Sequence, residues 1–311
     1  MSDAQTLTAP EPRALSADHG ARPAPPYDTD APALSVPAPK PLLTIRPRSG
    51  WSALNLRELW QFRDLLLSFA SRDLKLRYKQ TALGVIWVVL QPLMAAGVFS
   101  FVFGKVAKMP SDGVPYFAFS FAGMLGWNLF SNIVTKTSGC LLGNQQLISK
   151  VFFPRLVLPL SNVPSALVDF AIALAMMGVL LVTYRILPGW GLLLLPVWMA
   201  LIVALAVGVG LISSALSVSY RDVQYILPVA LQILLYASPI AYGVSAVPQR
   251  WRNIYFANPL SGLLEAFRWS LLDRGQPSPA SIAYAAAATV GLLLLGAFSF
   301  KRMERRFADV I

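Results

Sequence analysis

The sequence predicts an all-α integral membrane protein. The expected plan is six transmembrane helices, an amphipathic interface helix ahead of the first, and two short re-entrant helices between the fifth and sixth. Three observations carry this. Of 311 residues, 56% are apolar and 13% charged, with a mean hydropathy of +0.57, whereas an ordinary soluble domain carries about 25% charged residues. Six stretches are free or nearly free of charge, and each can supply the roughly 20 residues that cross a bilayer as a helix. Lys and Arg are divided unevenly between the segments that join them, as the orientation of membrane helices requires.

Residues 1–50 hold ten prolines and nine alanines, with five basic and five acidic residues. Without a helical apolar period, such a segment cannot bury enough surface to offset its ordering entropy. It is expected to be a disordered tail, and it lacks the apolar h-region of a signal peptide. The formal charge of +11 therefore falls on the rest of the chain. On a membrane protein it points to anionic lipid and not to nucleic acid.

Residues 51–80 change character. Leu56, Leu59, Trp60, Leu67, Ala70 and Leu74 recur at roughly helical spacing, with Arg57, Arg63, Arg72, Lys75, Arg77 and Lys79 as the polar side. Apolar residues with Trp on one face and Arg/Lys on the other suit a helix in the headgroup plane. The alternative is a helix packed on a soluble core.

The six-helix domain is expected over residues 81–300. The spans run from about Thr81 to Gly104, Val114 to Thr135, Leu156 to Tyr184, within Ile186–Tyr220, Val223 to Val247 and Ile282 to Phe300. Between the last two lies Asn253–Leu264, too short to cross and broken by Asn258-Pro259. With Glu265–Leu272 it reads as two short helices that enter the membrane and return, or else as an amphipathic surface loop. Six spans put both ends on one side. That side receives fourteen Lys and Arg, the opposite side seven, and the tail five, so both termini are expected in the cytoplasm. The basic C-terminus, residues 301–311, continues the same sign.

Little in the chain can do covalent chemistry. A single cysteine, Cys140, and a single histidine, His19, give no disulfide framework, zinc site or histidine triad. No catalytic residue and no metal site is assigned. There is no G-x-x-x-x-G-K-[ST] loop, so the chain is not expected to hydrolyse ATP itself. Gly208-Val209-Gly210 reads as a small-residue packing surface. Asp169 is the one acid well inside an expected span, a position that marks a functional site unless a neighbouring polar group satisfies it.

Aromatic residues are frequent in and near the first, second and fifth spans, among them Trp87, Phe99, Phe103, Tyr116, Trp127 and Tyr236. They are interface anchors, packing residues, or a path for a sugar chain, whose C–H faces stack on rings. The stretch from Asn144 to Arg155 reads as a short cytoplasmic helix ended by Pro154. It is either a connector or a helix that docks on a soluble partner.

The run Arg72-Asp73-Leu74-Lys75-Leu76-Arg77-Tyr78-Lys79-Gln80-Thr81-Ala82-Leu83-Gly84-Val85-Ile86-Trp87, continued by Leu90-Gln91-Pro92-Leu93, resembles the signature of polysaccharide-exporting ABC-transporter permeases. So do Leu147 to Arg155 with Leu158-Pro159, Tyr220-Arg221-Asp222-Val223 with Pro228, Ser238 to Tyr242, Asn258-Pro259-Leu260 and Phe267-Arg268-Trp269. The likeness covers residues 52–306.

The resemblance implies a homodimer of six-helix subunits in a bacterial inner membrane, with two copies of an ATP-binding subunit beneath. ATP and Mg would be held by that partner, and no cofactor by this chain. It implies a lipid-linked polysaccharide as cargo, O antigen above capsule or teichoic acid. Gln145, Gln146, Lys150 and Phe152 would touch the ATPase. Arg72, Lys75, Arg77 and Lys79 would stand at the substrate entrance, unless they are ordinary positive-inside charge. Asn258, Pro259 and Arg268 would shape a periplasmic gate, and the six aromatics named above would line the channel. An exporter of a drug or small lipid and an integral-membrane transferase are the rival readings.

Overall fold

The computed structural model describes residues 56–79, 84–151 and 153–304, with side chains left out at 56–58, 77–79 and 84–85. All lie in one unit, Arg48–Ile311. Among the described residues there is no strand. The helices are α1 (Leu56–Gln61), α2 (Arg63–Lys79), α3 (Gly84–Phe99), α4 (Tyr116–Gly143), α5 (Gln145–Lys150), α6 (Val157–Thr183), α7 (Leu195–Ser219), α8 (Val223–Ala237), α9 (Arg252–Ala257), α10 (Pro259–Leu272) and α11 (Pro279–Glu304). The chain is an all-α integral membrane protein. Five helical stretches are long and apolar enough to cross a bilayer: Ile86–Val106, Tyr116–Gly143, Val157–Thr183, Trp190–Ser219 and Pro279–Glu304.

The first of these continues past α3 as a π-helical segment, Ser100–Val106. The wider turn carries the helix through Lys105, beyond the expected end.

The second and fifth expected spans need correction. The second does not stop at Thr135. Lys136 lies inside α4, because an acid on a neighbouring helix pairs with it and one paired lysine does not end a helix. The fifth is helical only as far as Ala237. Ser238 turns extended, with ψ 158°, ahead of Pro239, whose preceding residue is biased away from the helical region. The 15 residues of α8 rise about 22 Å, short of an apolar core about 30 Å thick. Residues Val244–Ala246 and Gln249–Trp251 then form single 3₁₀ turns.

The break at Asn258-Pro259 separates α9 from α10, and its mechanism is local. Asn258 is extended and its side-chain carbonyl accepts from the Leu260 N–H at 3.1 Å. Pro259 takes the first helical position, where a missing N–H costs nothing. The Asn258 Nδ2 donates to Ser238 Oγ at 3.0 Å, joining the start of α10 to the end of α8. At the other end Asp273 adopts a left-handed φ of 53° and donates its N–H to the Trp269 carbonyl at 2.8 Å.

The core forms around α4 and α10. Eighteen of the 28 residues of α4 are buried, and thirteen of the 14 of α10, whereas α8 buries none. Helices α3 and α8 are therefore peripheral. Both expose large apolar side chains: Ile86, Trp87, Met94 and Val98 on α3, and Tyr225, Ile226, Val229 and Ile233 on α8.

Helix α11 packs on α7 through glycine. A β-carbon at Gly208 would lie 2.8 Å from the Leu292 carbonyl, and one at Gly296 would collide with the Gly208 carbonyl oxygen. The two backbones touch, the arrangement small residues permit in membrane helices. Gly208→Ala and Gly296→Ala are expected to destabilise the fold by about 1–3 kcal/mol through overpacking. Gly291→Ala on the same helix, with open space at its β position, should be neutral or stabilising. Thermal unfolding in detergent compares the three.

Candidate functional site

Two polar regions stand out, one at each end of α4. At the end that leads into α5, a cavity of about 240 Å³ opens between α2, α4 and α6. Its walls include Arg72 and Asp73 from α2, Lys136 from α4, Asn144 at the α4–α5 junction, and Ser161 and Asn162 from α6. The Arg72 guanidinium lies over the Phe69 ring, 5.4 Å from its centroid. It donates to Asn144 Oδ1 at 3.4 Å and pairs with Asp73 at 3.5 Å. Asn144 in turn donates to the Cys140 carbonyl at 2.8 Å, so the residue that opens α5 is anchored to α4 and faces α2. The Phe69 and Phe153 rings meet at 6.0 Å, which seats α2 against the arm that follows α5.

Deeper in, Lys136 Nζ stands 3.5 Å from Asp169 Oδ2 and donates to Ser165 Oγ at 3.1 Å. Asp169 also borders a second cavity of about 80 Å³, shared with Gln91 of α3 and Asn128 and Asn132 of α4. The ion pair thus joins two polar chambers along one side of α4. A guanidinium, an ammonium and two side-chain amides around the outer chamber suit an oxyanion such as phosphate, which takes charge-assisted hydrogen bonds from cations.

At the opposite end, α10 buries an acid and a base. Arg268 Nη1 donates to the Pro239 carbonyl at 2.7 Å, and its guanidinium lies over Phe119, 4.1 Å from the ring centroid. Glu265 sits one turn earlier on α10. Burial raises its carboxyl from the ordinary 4.5 to about 7, and the Arg268 charge opposes the rise. Burial likewise pushes up the Tyr255 and Tyr242 hydroxyls. Asp112 reaches the same region from the loop before α4 and accepts a hydrogen bond from Ser245 Oγ at 3.1 Å.

The residues singled out in the sequence divide as follows. Arg72 lines the outer cavity, and Lys75 is exposed on the same helix. The side chains of Arg77 and Lys79 lie outside the described residues, as do Phe152, residues 1–50 and residues 305–311. Gln145, Gln146 and Lys150 are exposed on α5.

The six aromatics do not share one surface. Trp87 and Tyr236 are exposed, and Phe99 meets Phe103 edge-on at 5.6 Å. The Tyr116 hydroxyl donates to the Ala241 carbonyl. Trp127 is a core residue, 5% exposed and packed on Phe130. Asn258 and Pro259 open α10, and Arg268 is enclosed by protein. Asp169 is satisfied by Lys136. Sequence reading alone missed Lys136, Asn162, Glu265 and Asp112. Only Glu265 and Arg268 left a trace, as opposite charges three apart in an otherwise apolar stretch.

Residues 64–272 match the model of the ABC-2 type transporter family. The chain belongs to that family. Among related ABC-2 proteins is the O-antigen export system permease protein RfbA of Myxococcus xanthus, 31% identical over 258 residues, which are 82% of this chain and 98% of that one. A second protein of that name, from Klebsiella pneumoniae, is 29% identical over 252 residues, 80% and 95% of the two chains. The polysialic acid transport protein KpsM of Escherichia coli is 24% identical over 242 residues, 75% and 91%. The matched region of the ABC-2 domain runs from α2 to the end of α10 and includes both polar regions.

Two outcomes are expected. Breaking a fully buried ion pair by removing one partner costs about 3–5 kcal/mol. Because the Lys136 side chain keeps 28% of its exposure, Asp169→Leu and Lys136→Met should each cost somewhat less, and the double variant should recover most of the loss in unfolding experiments. Glu265 holds its proton more tightly folded than unfolded, so its contribution to stability is present below about pH 4.5 and is lost as pH rises through about 7. Melting temperature followed across that window should fall less steeply in Glu265→Gln.

Proposed function

We propose that this chain is the membrane-embedded permease subunit of an ATP-driven exporter that moves a lipid-linked polysaccharide, O antigen above all, across a bacterial inner membrane. The observation that carries this is the near full-length similarity to two O-antigen export permeases. The similarity to a polysialic acid transport protein favours capsule polysaccharide as the second cargo. The absence of a phosphate-binding loop from the sequence agrees with ATP hydrolysis on a separate subunit.

In this reading both termini are cytoplasmic, and α5 meets the ATP-binding partner through Gln145, Gln146, Lys150 and Phe152. Arg72, Lys75, Arg77 and Lys79 serve the entrance, with Lys136 behind them. Their charges suit the phosphates that join sugar to lipid carrier. Two copies of the chain meet through exposed apolar faces such as those of α3 and α8, with Trp87 and Tyr236 available to a passing glycan. Helices α9 and α10, with Asn258 and Pro259 at their junction, close the periplasmic end. ATP-driven closure of the partner subunits biases this channel only by binding one of its states better than the other.

The test is co-purification with the ATP-binding protein encoded beside this chain, followed by ATP hydrolysis in lipid with and without candidate lipid-linked glycans. A stable complex whose hydrolysis responds to one glycan is expected. A chain that binds no such partner and shows no nucleotide dependence overturns the assignment. Phe152→Ala is expected to cut export about tenfold, within the usual range of coupling energies, while ATP binding by the isolated partner is unchanged.

A further inference from the structure

Arg155 stands just beyond α5, where the chain turns through Pro154 before entering α6. Two of its hydrogen bonds reach the last described turn of α11. Its Nη1 donates to the main-chain carbonyl of Glu304 at 2.9 Å, and its own N–H donates to Glu304 Oε1 at 3.4 Å. The other carboxylate oxygen, Oε2, lies 2.6 Å from Lys301 Nζ. Arg155 reaches the Glu304 main chain from 149 positions away in sequence.

Helix α11 is a stiff connection to the far end. Its 26 residues rise about 39 Å, and the glycine contact with α7 leaves no slack for it to shift alone. Its first turns touch the two short helices of the opposite face. The Tyr284 hydroxyl donates to the Ala257 carbonyl at the end of α9, at 3.0 Å. A β-carbon on Gly262 of α10 would stand 3.1 Å from the Ser281 carbonyl oxygen. One end of α11 is thus held by the arm of α5, and the other bears directly on α9 and α10.

We infer that Arg155 is a positioning residue that latches the α5 arm to α11, so that displacement of α5 by the ATP-binding partner is delivered along α11 to α9 and α10. The inference rests on the reading of α5 as the segment that meets that partner. The contribution of Arg155 lies in how much of the movement at one face reaches the other.

The test uses the assembled exporter in lipid vesicles. Ile254 of α9 is 65% exposed, and Ile254→Cys gives a thiol open to a membrane-impermeant maleimide. The native Cys140 is buried. Labelling is timed with and without a non-hydrolysable ATP analogue. In the Ile254→Cys background the analogue is expected to change the rate. Adding Arg155→Ala should shrink that nucleotide response about fivefold or more, the lower bound of typical coupling between sites. Arg155→Lys, which still donates to the Glu304 carbonyl, should restore most of it.

A purely structural role for Arg155 would reduce the yield or melting temperature of the complex and leave the nucleotide response of the folded fraction intact. That result overturns the latch, as does an Ile254→Cys protein whose labelling ignores nucleotide. If Arg155→Ala does not fold, Arg155→Met, which keeps the aliphatic stem and removes the donor to the Glu304 carbonyl, takes its place, and an undiminished response there overturns the latch equally. Lys150→Ala on α5 separates the two readings. A response lost in Lys150→Ala but kept in Arg155→Ala sinks the latch alone. A response kept in both also removes α5 as the contact with the partner.

Discussion

A charge or polar backbone group enclosed by protein or by a bilayer loses water as a partner, so the protein itself must supply one. That constraint organises the structure. Lys136 is answered by Asp169 and Ser165, and Arg268 by the Pro239 carbonyl and the face of Phe119. The open N-terminus of α10 is answered by Asn258, and the Glu304 carbonyl in the last described turn of α11 by Arg155. In every case but the Asn258 cap the partner comes from a different element, and Asn258 itself reaches across to Ser238. A requirement of local satisfaction thereby becomes a set of connections between helices. α4 is tied to α6, α8 to α10, and the α5 arm to α11.

These connections are unevenly placed. Helices α4, α7 and α11 pack through glycine and small side chains, and α10 is enclosed almost completely. Helices α3 and α8 are held more loosely and turn Trp87, Met94, Ile226 and Ile233 outward. The division between a backbone-to-backbone core and apolar-faced outer helices is a contrast in how closely each is packed. The π-helical continuation of α3 adds to it. Its wider turns match the α-helical hydrogen-bond ladder less well, a feature found often at functional sites.

Much of this was legible in the sequence, because hydropathy reports the same constraint. Charge-free runs located the crossing helices, and Asn258-Pro259 marked the start of α10 because an amide cap and a proline at the first position are local chemistry. Gly208 and Gly210 were readable as packing residues for the same reason: in an apolar run, small size is the only property they offer. What failed was anything decided by a partner distant in the chain. Lys136 looked like the end of a span because Asp169, 33 positions on, was not known to face it. The enclosure of Arg268 was hidden because nothing local says that Phe119 and Pro239 surround it. The burial of Trp127 was hidden because an aromatic at interface depth and one in the core have the same neighbours in sequence. The cavity beside Arg72 is built from α2, α4 and α6 together, and no window of the chain contains it.

The position of the Lys136–Asp169 pair bears on how an anion is handled at that cavity. An unpaired ammonium at its floor would hold a phosphate tightly, and a carrier that binds its cargo too well does not release it. If the cavity is the entrance proposed above, Lys136, with Asp169 already beside it, would meet a phosphate as a shared cation, and the net gain would be the difference between two charge-assisted contacts and not the whole of one. Arg72 is tempered in the same way by Asp73. A site whose cations are each matched by an acid attracts an anion through field and geometry while keeping its affinity low. That would suit the proposed entrance, where a headgroup would be captured and then passed on.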